Sequence, residues 1–181
     1  MGSQWKSAAK PALLALLFLL AAAEAGRTQQ VDFAKIAPGP KSAAWWLRVE
    51  FHPFGKEIRG IPIAKIRPTW CKATEFRNDL FPPEATPDLT RGDGLAFSID
   101  GSFDGARIRQ TALIGVYESC TGARGSFLLV LAYPPGEPSA VRFVHEMPDE
   151  QFGMLRALPD STIVVFHCLE CDLVTKFKWD R

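Results

Sequence analysis

The chain has almost no charge to spare: 21 Lys and Arg face 20 Asp and Glu. A balanced surface lacks the basic footprint that nucleic acid requires and the polybasic patch that draws a protein to anionic membranes. No nucleic-acid partner is expected. Long hydrophobic runs are also missing. The longest, Ala12 to Ala23, covers about a dozen residues, too few to cross a hydrocarbon layer of roughly 30 Å at ~1.5 Å per residue. There is no Gly-rich phosphate loop, no nucleophile elbow and no paired-histidine zinc helix. Asparagine occurs once, at Asn78, while Ala, Gly, Arg and Pro are plentiful, a bias typical of GC-rich bacterial genomes.

What is present begins with an address. Lys6 and Lys10 precede the apolar run, and Ala23-Glu24-Ala25 is a small-x-small triplet. Positive start, short apolar stretch and small residues in that order make a secretory signal peptide over residues 1–25, cut before Gly26. No cysteine sits at the cut, so no lipid anchor there, and no stable membrane anchor after cleavage, is expected. The expected home is periplasmic or secreted, in a bacterium. The mature chain, residues 26–181, carries nineteen charges of each sign and is long enough for one domain with a real core.

Four cysteines remain: Cys71, Cys120, Cys168 and Cys171. An even count in an exported chain reads as two disulfides. Three pairings are possible, and Cys71–Cys120 with Cys168–Cys171 is preferred. The first closes about 50 residues and is worth ~4 kcal/mol; the second closes a tiny loop worth ~2 kcal/mol.

Residues 26–44, with Pro38-Gly39-Pro40, read as a flexible N-terminal arm, and residues 45–181 as a single β-rich domain. Period-two alternation predicts a strand over 45–51. Further strands are expected at 61–66, 95–99, 111–117, 126–133, 141–145, 162–168 and 173–179. Thr121–Gly125 joins those at 111–117 and 126–133 as a hairpin. Ser126 to Tyr133 is nearly all apolar, the pattern of a strand buried on both faces. Short helices are expected at 71–80 and 149–158. The fold class is mainly β, an antiparallel sandwich or partly open barrel with one or two short helices.

Several residue sets carry possible chemistry. Cys168-Leu169-Glu170-Cys171 follows His167. The pair reads first as a structural disulfide. The alternatives are a zinc or copper site using His167, Cys168 and Cys171, or thiol-disulfide exchange, which usually needs a helix N-terminus. Glu118-Ser119-Cys120 with His52, His145 and His167 supplies hydrolase residue types without a hydrolase pattern, and Glu146, Asp149 and Glu150 are acids ahead of an expected helix. Arg91-Gly92-Asp93 reads as a turn. Most aromatics belong in a core, whereas Trp46 and Trp70 are candidates for stacking on a sugar or anchoring a partner.

Residues 99–113 run Ile-Asp-Gly-Ser-Phe-Asp-Gly-Ala-Arg-Ile-Arg-Gln-Thr-Ala-Leu. With the hairpin that follows, to residue 133, this resembles one FG-GAP-type repeat, whose loop runs roughly Gly-Asp-Phe-Asn-Gly-Asp-Gly and holds calcium through acidic oxygens at alternate positions. Ser102 stands where the first Asp would be, Asp104 keeps an acidic ligand, Ala106 replaces the next and Gln110 the last, with Asp100 nearby. The resemblance implies a single degenerate copy that has lost tight calcium binding. The alternative is a Gly-rich turn stabilised by Asp.

The sequence thus points to an exported, non-catalytic binding or scaffolding domain with a protein or carbohydrate ligand and no cofactor. A metal or thiol-redox protein centred on Cys168, Cys171 and His167 is the alternative, and a secreted hydrolase the second alternative.

Overall fold

The computed structural model describes residues 33–40, 44–91, 93–148 and 152–179. Residues 32–181 form one compact unit. The expected signal peptide and residues 26–32 of the expected arm lie outside the described residues, as do Gly92, Asp149 and Glu150.

Two long strands organise the unit, β7 (Gln110–Ser119) and β8 (Arg124–Ala132). They pair antiparallel from Gln110↔Ala132 to Glu118↔Arg124, and Gly122 at φ +90° makes the tight turn between them. β9 (Ala140–Met147) continues the sheet beyond β8. On the other side of β7, β6 (Ser98–Gly101) pairs with its first half and β5 (Trp70–Glu75) with its second. A small second sheet joins β10 (Met154–Ala157), β11 (Ile163–Phe166) and β12 (Val174–Phe177) in that order. Two short ribbons complete the strands, β1 (Ala34–Ile36) with β2 (Val49–Phe51), and β3 (Glu57–Ile58) with β4 (Ile61–Pro62). The helices are single turns, α1 (Ile63–Ile66) and α2 (Thr86–Leu89), beside 3₁₀ turns at 45–47, 78–80 and 83–85. The architecture is mainly β with antiparallel pairing throughout and no closed barrel among the described residues.

The central sheet is covered on both faces, which explains the continuous apolar runs of β7 and β8. Ala112, Ile114, Val116, Leu128 and Val130 face a core rich in phenylalanine, to which the second sheet adds Leu155, Ile163 and Val165. Leu113, Tyr117, Phe127, Leu129 and Leu131 face a second core closed by Ile58, Ile61, Ile63 and Ile66. Gly115 lies where β5 crosses close: a Cβ there would sit 2.3 Å from the Thr74 carbonyl oxygen.

Five local expectations are corrected. Of the strand expected over 61–66 only Ile61–Pro62 is strand, since Ile63–Ile66 form the turn α1 with the Arg67 amide bonded to the Ile63 carbonyl at 2.8 Å. Residues 71–75 belong to β5 rather than a helix, because pairing with β7 and burial of Ala73 and Thr74 outweigh the weak helical spacing of Phe76 and Leu80. Residues 154–157 are likewise strand, paired with β11; at Gly153 a Cβ would meet Ile114 at 2.7 Å. The strand expected over 45–51 starts only at Val49, since Trp45–Leu47 form a 3₁₀ turn with the Arg48 amide bonded to the Trp45 carbonyl. Finally, part of the expected arm is fixed. Phe33 is 1% exposed among Phe51, Phe76 and Phe81, and its burial together with the pairing of β1 with β2 from Ala34↔Phe51 to Ile36↔Val49 offsets the ordering of these residues.

Candidate functional site

Both disulfides are present, in the pairing preferred from the sequence. Cys71–Cys120 spans 4.8 Å between Cα atoms and ties β5 to the β7–β8 turn. Cys168–Cys171 spans 5.7 Å and closes the connection between β11 and β12. Two disulfides are consistent with an oxidising, extracellular location.

A cavity of about 630 Å³ lies beside the second of these. Its walls include Trp45, Trp46, Arg48, Glu84, Asp88 and Glu170. The 3₁₀ turn at 45–47 presents the two indoles edge to face, with centroids 5.8 Å apart. The Trp45 indole N–H donates to Asp88 Oδ2 at 2.9 Å. Asp88 also accepts from Arg91 at 2.6 Å, and Arg91 reaches Glu170 Oε1 at 3.2 Å. The bond to Glu170, then the charge of Asp88, holds the Arg91 pKa above its ordinary value. Glu170 lies between the bonded cysteines, so the small disulfide loop supplies one carboxylate wall of the groove. Arg91, the first residue of the Arg-Gly-Asp triplet, is exposed and engaged in this bridge.

The two tryptophans chosen as exposed anchors are instead buried. Trp70 is 3% exposed, stacked on Tyr117 at 4.7 Å, with its indole N–H on Glu146 Oε1 at 3.0 Å. Trp46, at 9%, shows only an edge to the groove. Large rings gain more from the core than from water when a polar partner reaches the indole nitrogen. The sequence reading missed Trp45, Glu84, Asp88 and Glu170. Adjacent tryptophans, and acids spaced four apart at 84 and 88, were the only signals.

The loop of residues 99–110 is organised by polar side chains. Asp100 Oδ1 accepts from the Thr111 hydroxyl, and its second oxygen from Arg109 at 3.1 Å. The side chain of Asp104 is 3% exposed and accepts from the Ala106 amide and from Arg142 on β9. Burial raises the Asp104 pKa, but the Ala106 amide, Arg142 and Gln110 together outweigh it and leave the carboxyl below its ordinary range. Gln110 Oε1 accepts the Phe103 amide at 2.7 Å. The oxygens are thus turned onto a guanidinium and backbone amides. Ser102 stands beside them, half-buried.

The remaining sets stay apart. His167 Nε2 lies 2.8 Å from the Thr175 hydroxyl, and Cys168 and Cys171 are bonded to each other, so thiolate ligation of zinc or copper would first require reduction. Among the described residues no three or more His, Cys, Asp or Glu side chains converge as a metal site. Ser119 bonds Thr121 and the Ala123 amide, while Glu118 pairs with Lys72 and Arg124. His52 pairs with Glu50, and the His145 ring packs on Phe143 and Phe177. No hydrogen bond among the described residues links Ser119 to a histidine, and Glu146 serves Arg67 and Trp70. The chain matches no protein-family model, no curated protein and no solved structure.

Proposed function

We propose that the chain is a periplasmic or secreted bacterial domain that acts by binding and scaffolding, without chemistry on its ligand, and that its site is the groove beside Trp45 and Trp46. The observation carrying this reading is the groove's composition. Among the described residues three carboxylates and two indoles line it with the guanidinium of Arg48, and Arg91 bridges two of those carboxylates, Asp88 and Glu170, from beside the groove. With Asp88 and Glu170 bridged by Arg91, the exposed carboxylate of Glu84 beside the two indoles suits the cationic side chain of a protein partner, its apolar stem packing on the aromatic wall. The signal peptide expected at 1–25 and both disulfides fit a domain that works outside the reducing cytosol.

Calorimetric titration of the oxidised mature chain with a tetralysine peptide tests the reading. Saturable binding that weakens with salt and weakens again in Glu84→Gln, an exposed position, supports it. Failure of tetralysine to bind the wild-type chain, or equal binding by tetraglutamate, overturns it.

A further inference from the structure

At the other end of β12 from the Glu170 loop the side chains have a different character. β9 and β12 are the edge strands of their two sheets, and where these edges face each other the rings of Phe143, Phe177 and Trp179 meet. Phe143 lies 5.8 Å from Phe177 and 5.4 Å from Trp179, ring to ring. All three rings are half-buried and pack on the outside of the main core. They line a shallow cavity of about 330 Å³ whose other walls among the described residues are Lys176 and Lys178. Both lysines are exposed; the Lys178 ammonium donates to Asp160 at 2.8 Å, outside these walls, and no carboxylate among the described residues lines the cavity.

We infer that this cleft is a second binding site and that it takes an acidic carbohydrate, a chain of uronic-acid-type sugars. Flat aromatic surface accepts the C–H face of a pyranose, and a lysine ammonium beside it, Lys176 first since Lys178 is paired with Asp160, donates to the carboxylates that such sugars carry at regular spacing. Among the described residues the walls offer no neutral hydrogen-bonding side chain besides the indole nitrogen, which favours a ligand that combines an apolar face with anionic charge. A polyglutamate segment supplies the charge on flexible stems and no flat face. The size suits one or two sugar rings. The inference does not depend on the groove beside Trp46; the two sites share no lining residue.

The test is calorimetric titration of the full mature chain with trigalacturonate, with its methyl ester and with hexaglutamate, at two salt concentrations. The free acid is expected to bind and the other two to bind weakly or not at all. Trp179→Ala should weaken the acid about tenfold, Trp179→Phe should retain most of the affinity, and Lys176→Gln should weaken it about threefold and flatten the salt dependence. Glu84→Gln should leave it unchanged, which separates this site from the groove. Circular dichroism and the absence of free thiols confirm that each variant is folded. No binding of trigalacturonate to the wild-type chain overturns the inference. So does equal binding of the methyl ester, which removes the role of the lysines, or of hexaglutamate, which makes the cleft a site for acidic protein segments.

Discussion

Replacing Cys71 and Cys120 together by serine removes the bond whose contribution can be worked most fully from the structure. Both residues are exposed, so serine leaves no core cavity. The strands they join are already paired on either side, Trp70 with Ser119 and Lys72 with Glu118, across a bulge that holds Cys71. The Cys120 amide also bonds the Thr69 carbonyl at 2.9 Å. The folded geometry therefore survives the loss, and the cost falls on the unfolded chain, which regains the freedom of a 49-residue separation. Loop closure at that length is worth about 4 kcal/mol, whereas the three-residue separation of Cys168 and Cys171 is worth about 2 kcal/mol. Since ordinary domains are stable by only about 5–15 kcal/mol, the first loss should leave a marginal protein. In urea, with a slope near 2 kcal/mol/M, the midpoint should fall by roughly 2 M for Cys71→Ser/Cys120→Ser and by roughly 1 M for Cys168→Ala/Cys171→Ala. A reversed order, or no shift for the first variant, would refute the reasoning.

Three further outcomes are expected. Arg142→Ala strips the cation from a carboxylate whose side chain is 3% exposed and should cost about 1–3 kcal/mol by urea unfolding; adding Asp104→Asn should recover part of that loss, and strict additivity of the two changes would contradict the pairing. Gly115→Ala drives a Cβ against the Thr74 carbonyl and the Phe127 ring and should cost at least about 2 kcal/mol, a claim that a neutral unfolding midpoint would defeat. Acid should weaken the fold through Glu118, whose pKa is lowered from 4.5 by hydrogen bonds from Lys72 and Arg124, and through Asp100, lowered from 3.8 first by the Thr111 hydroxyl. Carboxyls depressed in the fold stabilise it above their unfolded pKa values and lose that contribution as pH falls through the folded ones, so urea midpoints should drop below about pH 4.5 and a flat profile down to pH 2 would exclude the effect.

The mainly β class was legible because Gly and Pro punctuate the chain and because β7 and β8 are long apolar runs. The two cysteine pairs followed from count and spacing. Short elements were harder to read. Residues 71–80 and 149–158 show helical spacing over barely two turns, and cross-strand pairing decides such segments. Trp46 and Trp70 look alike on paper to any exposed tryptophan; only the neighbours that cover them, Trp45 and Tyr117, settle their burial. The groove was not legible at all, since residues 45, 88 and 170 are brought together by the fold and share no motif. The β9–β12 cleft was half legible: Phe177 and Trp179 alternate with Lys176 and Lys178 in the sequence, but Phe143 arrives from another sheet.

The account rests on export followed by oxidation, and one measurement addresses both. Intact mass spectrometry of the native protein, alkylated under denaturing conditions without reductant, should give a chain beginning at Gly26, carrying no alkyl group and lighter by the four hydrogens that two disulfides remove. A full-length polypeptide beginning at Met1 with alkylated cysteines would contradict it.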